Sequence, residues 1–416
     1  MSGDNPHATP ARARSRAAAT AVDGRPESTE SDQVTALSNG EGFLALGPRW
    51  RELWSRSPEQ SPFNSWEFVS TWWQHFILGR TGGATGEIEV LLARDQRGQI
   101  IGMSPMFVEH NMGQPELGRT LQPFGRSNSL ETMTDEPMTV LHRQHGEQAR
   151  AAMGAYLRDS AIGAEWDLAV TRSQVPSQAP PPSPPLRWNG PTVELDRLSP
   201  GTVAVPLAPT WEQYRRGLSK SMRDNVAYYP RRLQCEVGPF SVRIARRPQD
   251  VADAVDDLVR LHHLRSLGQH GTPHCSHIST AKNAAFFEEV MVRLARQGRA
   301  SIATLTVAGR TIGAHAFLQT PNALWTYYSG FDPAWHRFSP LTIITSEVLR
   351  DAINRGVQQL CFSPGQAPWK SRWGGREVNQ IQETSVYAIR PRALLRGVVR
   401  RLRWRAHAAR RSVHGG

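Results

Sequence analysis

Lysine is nearly missing from this 416-residue chain: Lys220, Lys282 and Lys370 stand alone among 49 Lys and Arg residues. Cysteine is as scarce. Cys235, Cys275 and Cys361 form an odd, sparse set that argues against a disulfide-stapled scaffold. No apolar run approaches the roughly 18 residues needed to span a bilayer, and the N-terminus lacks the apolar core of a secretory signal. The expectation is a cytoplasmic protein. Hydrophobic content of 39% is low, as when unstructured ends flank globular material. The length suits two or three domains.

Carboxylates are missing from one stretch in particular. Between Arg390 and Arg411 there are nine arginines and no Asp or Glu. Taking those nine from the net charge of +12 leaves +3 for everything before them, so basicity belongs to the tail. A helix there would carry Leu395, Val398 or Val399, Leu402 and Ala406 on one face, with arginines on the other. Such a helix lies peripherally on an anionic membrane, here the inner membrane surface; a solvated disordered tail fits the same composition. Nucleic acid is not the leading reading, because no reader motif accompanies the charge. Residues 1–40 lack apolar periodicity and read as disordered.

Between these ends the chain is organised. Phe68, Trp72 and Phe76 share the face of a helix over 63–78, with Ser65 as its N-cap. IEVLLAR and QIIGMSPMFVEH follow as two strands around a turn. The run SQAPPPSPPL excludes helix and central strand and reads as a linker or surface loop. Thr210 caps a further helical region, and a basic amphipathic segment after it is interrupted by Pro230. Helices are expected over 250–264 and 283–296. Then SIATLTV, TIGAHAFL and LWTYYSGF form a three-strand meander joined by Gly and Pro-Asn turns. Tyr327 and Tyr328, as strand neighbours, should point to opposite faces, so that one leaves the core. A helix over 341–355 ends at Gly356. The hairpin at Ile101-Gly102 parallels the one at Ile312-Gly313, and a helix precedes each, so a helix–hairpin unit occurs twice. The expected partition is 41–172, a Pro-rich linker at 173–200, a second domain at 201–389, and the tail from 390.

SPFNSWEFVSTWW, WEQYRRGLSKSMRDN, LHHLRSLGQHG, YYSGFDPAWHRFSP and WKSRWG, in this order, resemble the CelD-type acetyltransferases, a FemAB-like branch of the GNAT superfamily. The resemblance covers most of residues 48–374. It implies an α+β fold of tandem GNAT-like domains, each a mainly antiparallel mixed sheet flanked by helices. It also implies transfer of an acyl group, from acetyl-CoA or a longer acyl-CoA, to an amine. The acceptor would be a small molecule or an envelope precursor, in exopolysaccharide or cell-envelope biosynthesis. An aminoacyl-tRNA donor, as in FemAB-like enzymes, is the alternative. A non-catalytic binding descendant is another, since Leu341, Cys361 and Trp369 replace the Gly, Asp and Tyr usual in the family.

The resemblance also directs attention to particular residues. CoA pyrophosphate favours a helix N-terminus, which points to Ser339 as N-cap, Pro340 as first helical residue, and Leu341 and Thr342 after it. The family motif has a His at position 262 and an Arg at 265, and with Tyr328 these are the catalytic candidates. Without the resemblance, His262 reads as a histidine pairing with a backbone carbonyl. Lys370, a lysine kept in an arginine-biased chain, joins the donor-site candidates; Lys220, Arg223 and Trp373 are the acceptor candidates. Cys361, between Leu360 and Phe362, reads as inert packing. His270, His274, Cys275 and His277 are too crowded to close a tetrahedral site and no second pair supports them, so no metal is expected.

Overall fold

Apolar runs broken by Gly and Pro build two mixed, mainly antiparallel sheets. The computed structural model describes residues 33–78, 88–110, 118–127, 133–179, 186–189, 192–268, 276–391 and 393–395. The first half runs β1 (Gln33–Leu37), α1 (Gly40–Ala45), α2 (Gly47–Ser55), α3 (Trp66–Phe76), β2 (Ile88–Arg94), β3 (Ile100–His110), β4 (Arg119–Pro123), β5 (Val140–Leu141), α4 (Gly146–Ser160), β6 (Leu168–Pro176), β7 (Leu186–Asn189) and β8 (Thr192–Pro200). The second runs β9 (Val203–Pro206), α5 (Trp211–Gly217), α6 (Lys220–Glu236), β10 (Phe240–Ala245), α7 (Pro248–Leu267), α8 (Ala281–Ala295), β11 (Ala300–Val307), β12 (Arg310–Gln319) and β13 (Ala323–Phe331). It closes with α9 (Pro340–Asn354), β14 (Gln359–Phe362), α10 (Pro368–Arg372), β15 (Arg376–Glu377) and β16 (Asn379–Tyr387).

The strand orders are β1-β2-β3-β4-β6-β16-β8-β7, with β5 beside β3, and β10-β11-β12-β13-β14-β9-β15. One pair in each is parallel, β4 with β6 and β13 with β14. The two sheets repeat one plan. A first strand, helices, a three-strand meander and a crossover helix lead to the parallel strand, as β1 to β6 and again as β10 to β14. The paired hairpins expected from Ile101-Gly102 and Ile312-Gly313 are β2–β3 and β11–β12.

The first sheet is not built from one continuous stretch, whereas the second takes β9 to β15 in unbroken succession. β9, the first strand of the second half, pairs with β14, and β16 returns from the end of the second half to lie between β6 and β8. The crossing strands touch where they pass: Thr202 N–H donates to Asn379 Oδ1 at 2.8 Å, and Val378 N–H donates to the Thr202 carbonyl at 3.0 Å. Gly201 lies against the Asn379 backbone, with no room for a Cβ. The partition at 173–200 and 201–389 therefore does not follow the sheets. β8 within the expected linker is a strand of the first sheet, and so is β16 within the expected second domain. Pairing partners this far apart leave no mark on local pattern.

The halves meet through α3 and α8. Phe68 and Phe76 pack on Phe286, Phe63 packs on Trp325 and Tyr327, and His75 Nε2 lies 2.7 Å from Glu289. The aromatic run around Trp66 is thus core on both sides. Ser65 is the N-cap of α3, but its hydroxyl donates to the Pro62 carbonyl instead of capping the helix. Pro230 does not end the basic segment: α6 runs through it, with Met222, Val226 and Leu233 buried along one face. β1 lies within the stretch expected to be disordered; residues 1–32, and the tail beyond Leu395, are outside the described residues.

Candidate active site

β13 and β14 pair only over Ala323–Trp325 and Gln359–Cys361. Beyond that point β14 ends at Phe362 while β13 continues to Phe331, and the strands part. A cavity of about 780 Å³ opens in the gap, within the range of small-ligand sites. Thr326 to Ser329 of β13, Ser363 after β14, and Leu341, Thr342 and Thr345 of α9 line it, together with His262 and Arg265 of α7.

On its other edge, against β12, β13 is irregular. His315 pairs with Ser329 and Phe317 with Thr326, so Ala316 alone opposes Tyr327 and Tyr328. Two residues against one is a β-bulge, which re-aims side chains. It overturns the expected alternation: both tyrosines line the cavity, their rings 4.5 Å apart and each against Phe287. Tyr327 Oη also donates to the Met133 carbonyl at 2.5 Å, tying the bulge to the first half.

His262 lies on the buried face of α7, continuing the row Val251, Val255, Leu258 and Leu261. That helix comes against β13 at Gly330, where a Cβ would fall on the backbone of Leu261 and His262. His262 Nδ1 therefore sits 2.9 Å from the Ser329 carbonyl, and Arg265 Nη1 donates to Ser329 Oγ at 3.0 Å. Burial lowers the His262 pKa to about 4, and the Arg265 charge adds to the fall. His315, buried against Phe317, falls to about 3 from the same causes. Both imidazoles are neutral at pH 7.

α9 begins as expected at Ser339 and Pro340, but Ser339 takes a left-handed conformation (φ 47°, ψ 62°) and its hydroxyl pairs with Thr342 Oγ1 at 2.7 Å. No side chain caps the backbone of the first turn. Pro340 packs down on Gly313, so Leu341 and Thr342 alone of the four donor-site candidates around this turn reach the cavity. Lys370 does not reach it. Its ammonium is buried and donates to the carbonyls of Ser363 (2.6 Å), Pro364 (3.1 Å) and Gly365 (2.7 Å). Those acceptors occupy the three donors a lysine has, so Lys370 shapes the loop that carries Ser363.

Trp373 lines the cavity, whereas Lys220 and Arg223 lie outside it. α6 turns Met222 and Val226 inward, which leaves Lys220 exposed and sets Arg223 across the end of α5, donating to the Leu218 and Arg216 carbonyls. Cys361 is buried, and burial pushes its thiol up to about 12, which suits packing and not nucleophilic work. Among the described residues no three His, Cys, Asp or Glu side chains gather as a metal site; His270, His274 and Cys275 lie outside those residues.

Sequence reasoning missed His277, His315, Thr345, Ser363 and the first-half residues Met133, Thr134 and Asp135. Asp135 and its neighbour Glu136 come from an irregular loop. Glu136 is buried, accepting from Thr202 Oγ1 and Gln174 Nε2.

Residues 220–371 match the acetyltransferase (GNAT) domain family, the stretch that holds α9, the bulge and the parted strands. No curated protein matches the chain in sequence. Among solved structures the chain is similar to FemX, at 7% identity and a TM-score of 0.54 over 84% of this chain and 96% of that one. It is also similar to a conserved protein of unknown function from Bacteroides thetaiotaomicron, at 7% identity and a TM-score of 0.51 over 85% and 100%. A tandem GNAT protein from the clavulanic acid biosynthesis pathway aligns at 10% identity and a TM-score of 0.43 over 86% and 99%. The first two likenesses concern the fold alone.

Proposed function

From the acetyltransferase (GNAT) domain of residues 220–371, we propose that this chain is an acyl-CoA-dependent N-acyltransferase acting on an amino group of a sugar, an amino acid or an envelope precursor. The observation that carries the reading is the gap between β13 and β14. It joins an uncapped helix start to the bulged stretch of β13 inside one cavity. A helix N-terminus favours the phosphates of CoA. The adjoining cleft has room for an acyl thioester, and the bulge brings Tyr328 beside it. The amine attacks the bound thioester directly, with no acyl-enzyme, which agrees with the suppressed reactivity of Cys361.

Calorimetry of the purified protein with acetyl-CoA and longer acyl-CoAs tests this. The expected result is saturable binding; no heat with any of them overturns the CoA form of the reading. Transfer from charged tRNA, with CoA esters inert, would favour the aminoacyl-tRNA alternative.

A further inference from the structure

We propose that Asp135, supplied by the first half of the chain, is the base that takes the proton from the acceptor ammonium in a cavity built mostly by the second half. The proposal rests on the acyltransferase reading above and assigns the acceptor to the amines that are cationic in water. Asp135 is the one carboxylate among the described residues lining the cavity. It shares that space with His262, Arg265, His277, His315, Tyr327 and Tyr328.

Three observations support the role. First, the carboxylate is not committed elsewhere: among the described residues it accepts no hydrogen bond. The nearby Lys370 ammonium and Arg172 act on it only through their charge. Second, its backbone is held on both sides. Tyr327 Oη donates to Met133, Thr134 Oγ1 donates to the Glu136 carbonyl at 3.2 Å, and Thr202 and Gln174 hold the Glu136 side chain. A side chain pre-positioned in this way does not have to be ordered when a ligand enters. Third, the two histidines buried beside it in the cavity wall are weak proton acceptors. His262 and His315 share the cavity with the Arg265 charge, and burial leaves both far less basic than a free imidazole. Burial acts oppositely on Asp135, raising its carboxyl to about 6, closer to the working pH of a general base. Lys370 and Arg172 hold that rise back, and the neighbouring Glu136 is itself mostly protonated below pH about 7.

The proton balance closes without another reactant. An ammonium R–NH3+ gives one proton to the Asp135 carboxylate and becomes a neutral amine. Its nitrogen forms a bond to the thioester carbon, and the C–S bond breaks as the adduct collapses. The departing thiolate takes the second proton from that nitrogen. The amide keeps the third, and Asp135 returns its proton to solvent. At the mouth, Trp369 is 47% exposed, a flat apolar surface beside the entry for the body of the acceptor.

The test compares the parent with Asp135→Asn and Asp135→Glu, all checked for folding by thermal melting. The probes are benzylamine, glucosamine and lysine, with benzyl alcohol as the uncharged control and acetyl-CoA as donor. Benzylammonium should bind the parent at least about tenfold more tightly than Asp135→Asn, with no such difference for benzyl alcohol. Transfer to at least one amine, followed by mass spectrometry of the amide, should fall on the order of 100-fold or more in Asp135→Asn. It should recover in part in Asp135→Glu, and parent kcat/KM should rise with pH through about 6. Acetyl-CoA binding should be the same in all three proteins. Asp135→Asn turnover within threefold of the parent, or equal benzylammonium affinity, overturns the proposal. So does a parent that binds acetyl-CoA and transfers to none of the amines. A parent that binds no acyl-CoA overturns the acyltransferase reading instead, and the benzylammonium comparison then decides whether Asp135 receives a cation.

Discussion

At Gly330 the backbone of β13 touches the backbone of α7, and this contact sets where His262 and Arg265 stand. In Gly330→Ala the added methyl must push the helix away. Overpacking of this kind costs about 1–3 kcal/mol, so the urea midpoint should fall and acyl-CoA binding weaken with it; an unchanged midpoint would show that α7 yields freely. Glu136 makes a second residue-scale prediction. Burial raises its carboxyl to about 7, so the folded chain retains a proton that the unfolded chain releases near pH 4.5. The stability is fully present below pH 4.5 and is lost as pH rises through about 7, on the order of 3 kcal/mol. Glu136→Gln removes this titration. Its stability relative to the parent should therefore climb between pH 4.5 and 7.5, and parallel denaturation midpoints across that range would refute the assignment.

At the scale of elements, α6 shows packing overriding a local breaker. Pro230 lacks the N–H that a helix interior needs and costs about 3 kcal/mol relative to Ala there. Met222 and Val226 before it and Leu233 after it nevertheless hold one continuous helix. Pro230→Ala should raise the melting temperature, by an amount corresponding to about 1–3 kcal/mol. A lowered melting temperature would mean that the ring itself packs usefully. α9 shows the opposite relation, in which local signals suffice. Pro340 at the first position and the apolar row Ile344, Val348 and Ala352 agree with the tertiary contacts it makes, and its bounds are those the periodicity predicts to within a residue.

For the whole molecule, the return of β16 to the first sheet makes the first half depend on the end of the second. β16 is paired along its whole length with β6 on one side and nearly all of it with β8 on the other. A chain cut after Gly375 lacks a central strand of the first sheet and β15 at the edge of the second, while the packing of α3 on α8 still joins the halves. The truncated protein should lose cooperative unfolding in both halves, by circular dichroism and by exchange of the 300–331 amides. Retention of a folded 201–375 portion would show that the halves are separable. The composite site depends on the same arrangement, since Asp135 and the bulge at Tyr327 come from opposite halves. The arginine-rich tail makes a separate prediction: deleting residues after Arg390 should lower sedimentation with anionic liposomes, and unchanged sedimentation would exclude a membrane role for it.

What the sequence determined by itself follows from short-range periodicity. The twin hairpins, the apolar faces of α3, α7, α8 and α9, and the stretch from Ala300 to Phe362 were all legible, because neighbours in the chain dictate them. His262, Arg265, Tyr328, Leu341, Thr342 and Trp373 were legible through ordered motifs, and the structure gathers them around one cavity. Lys370, Lys220 and Arg223 were drawn in by the same motifs, yet backbone carbonyls hold Lys370 and Arg223 outside it and Lys220 is exposed on α6. Only the tertiary structure decided the return of β16 to the first sheet, the two-against-one pairing that turns both tyrosines inward, and the arrival of Asp135. Each of these depends on which distant segments become neighbours, and that is settled by strand pairing and burial across the whole chain.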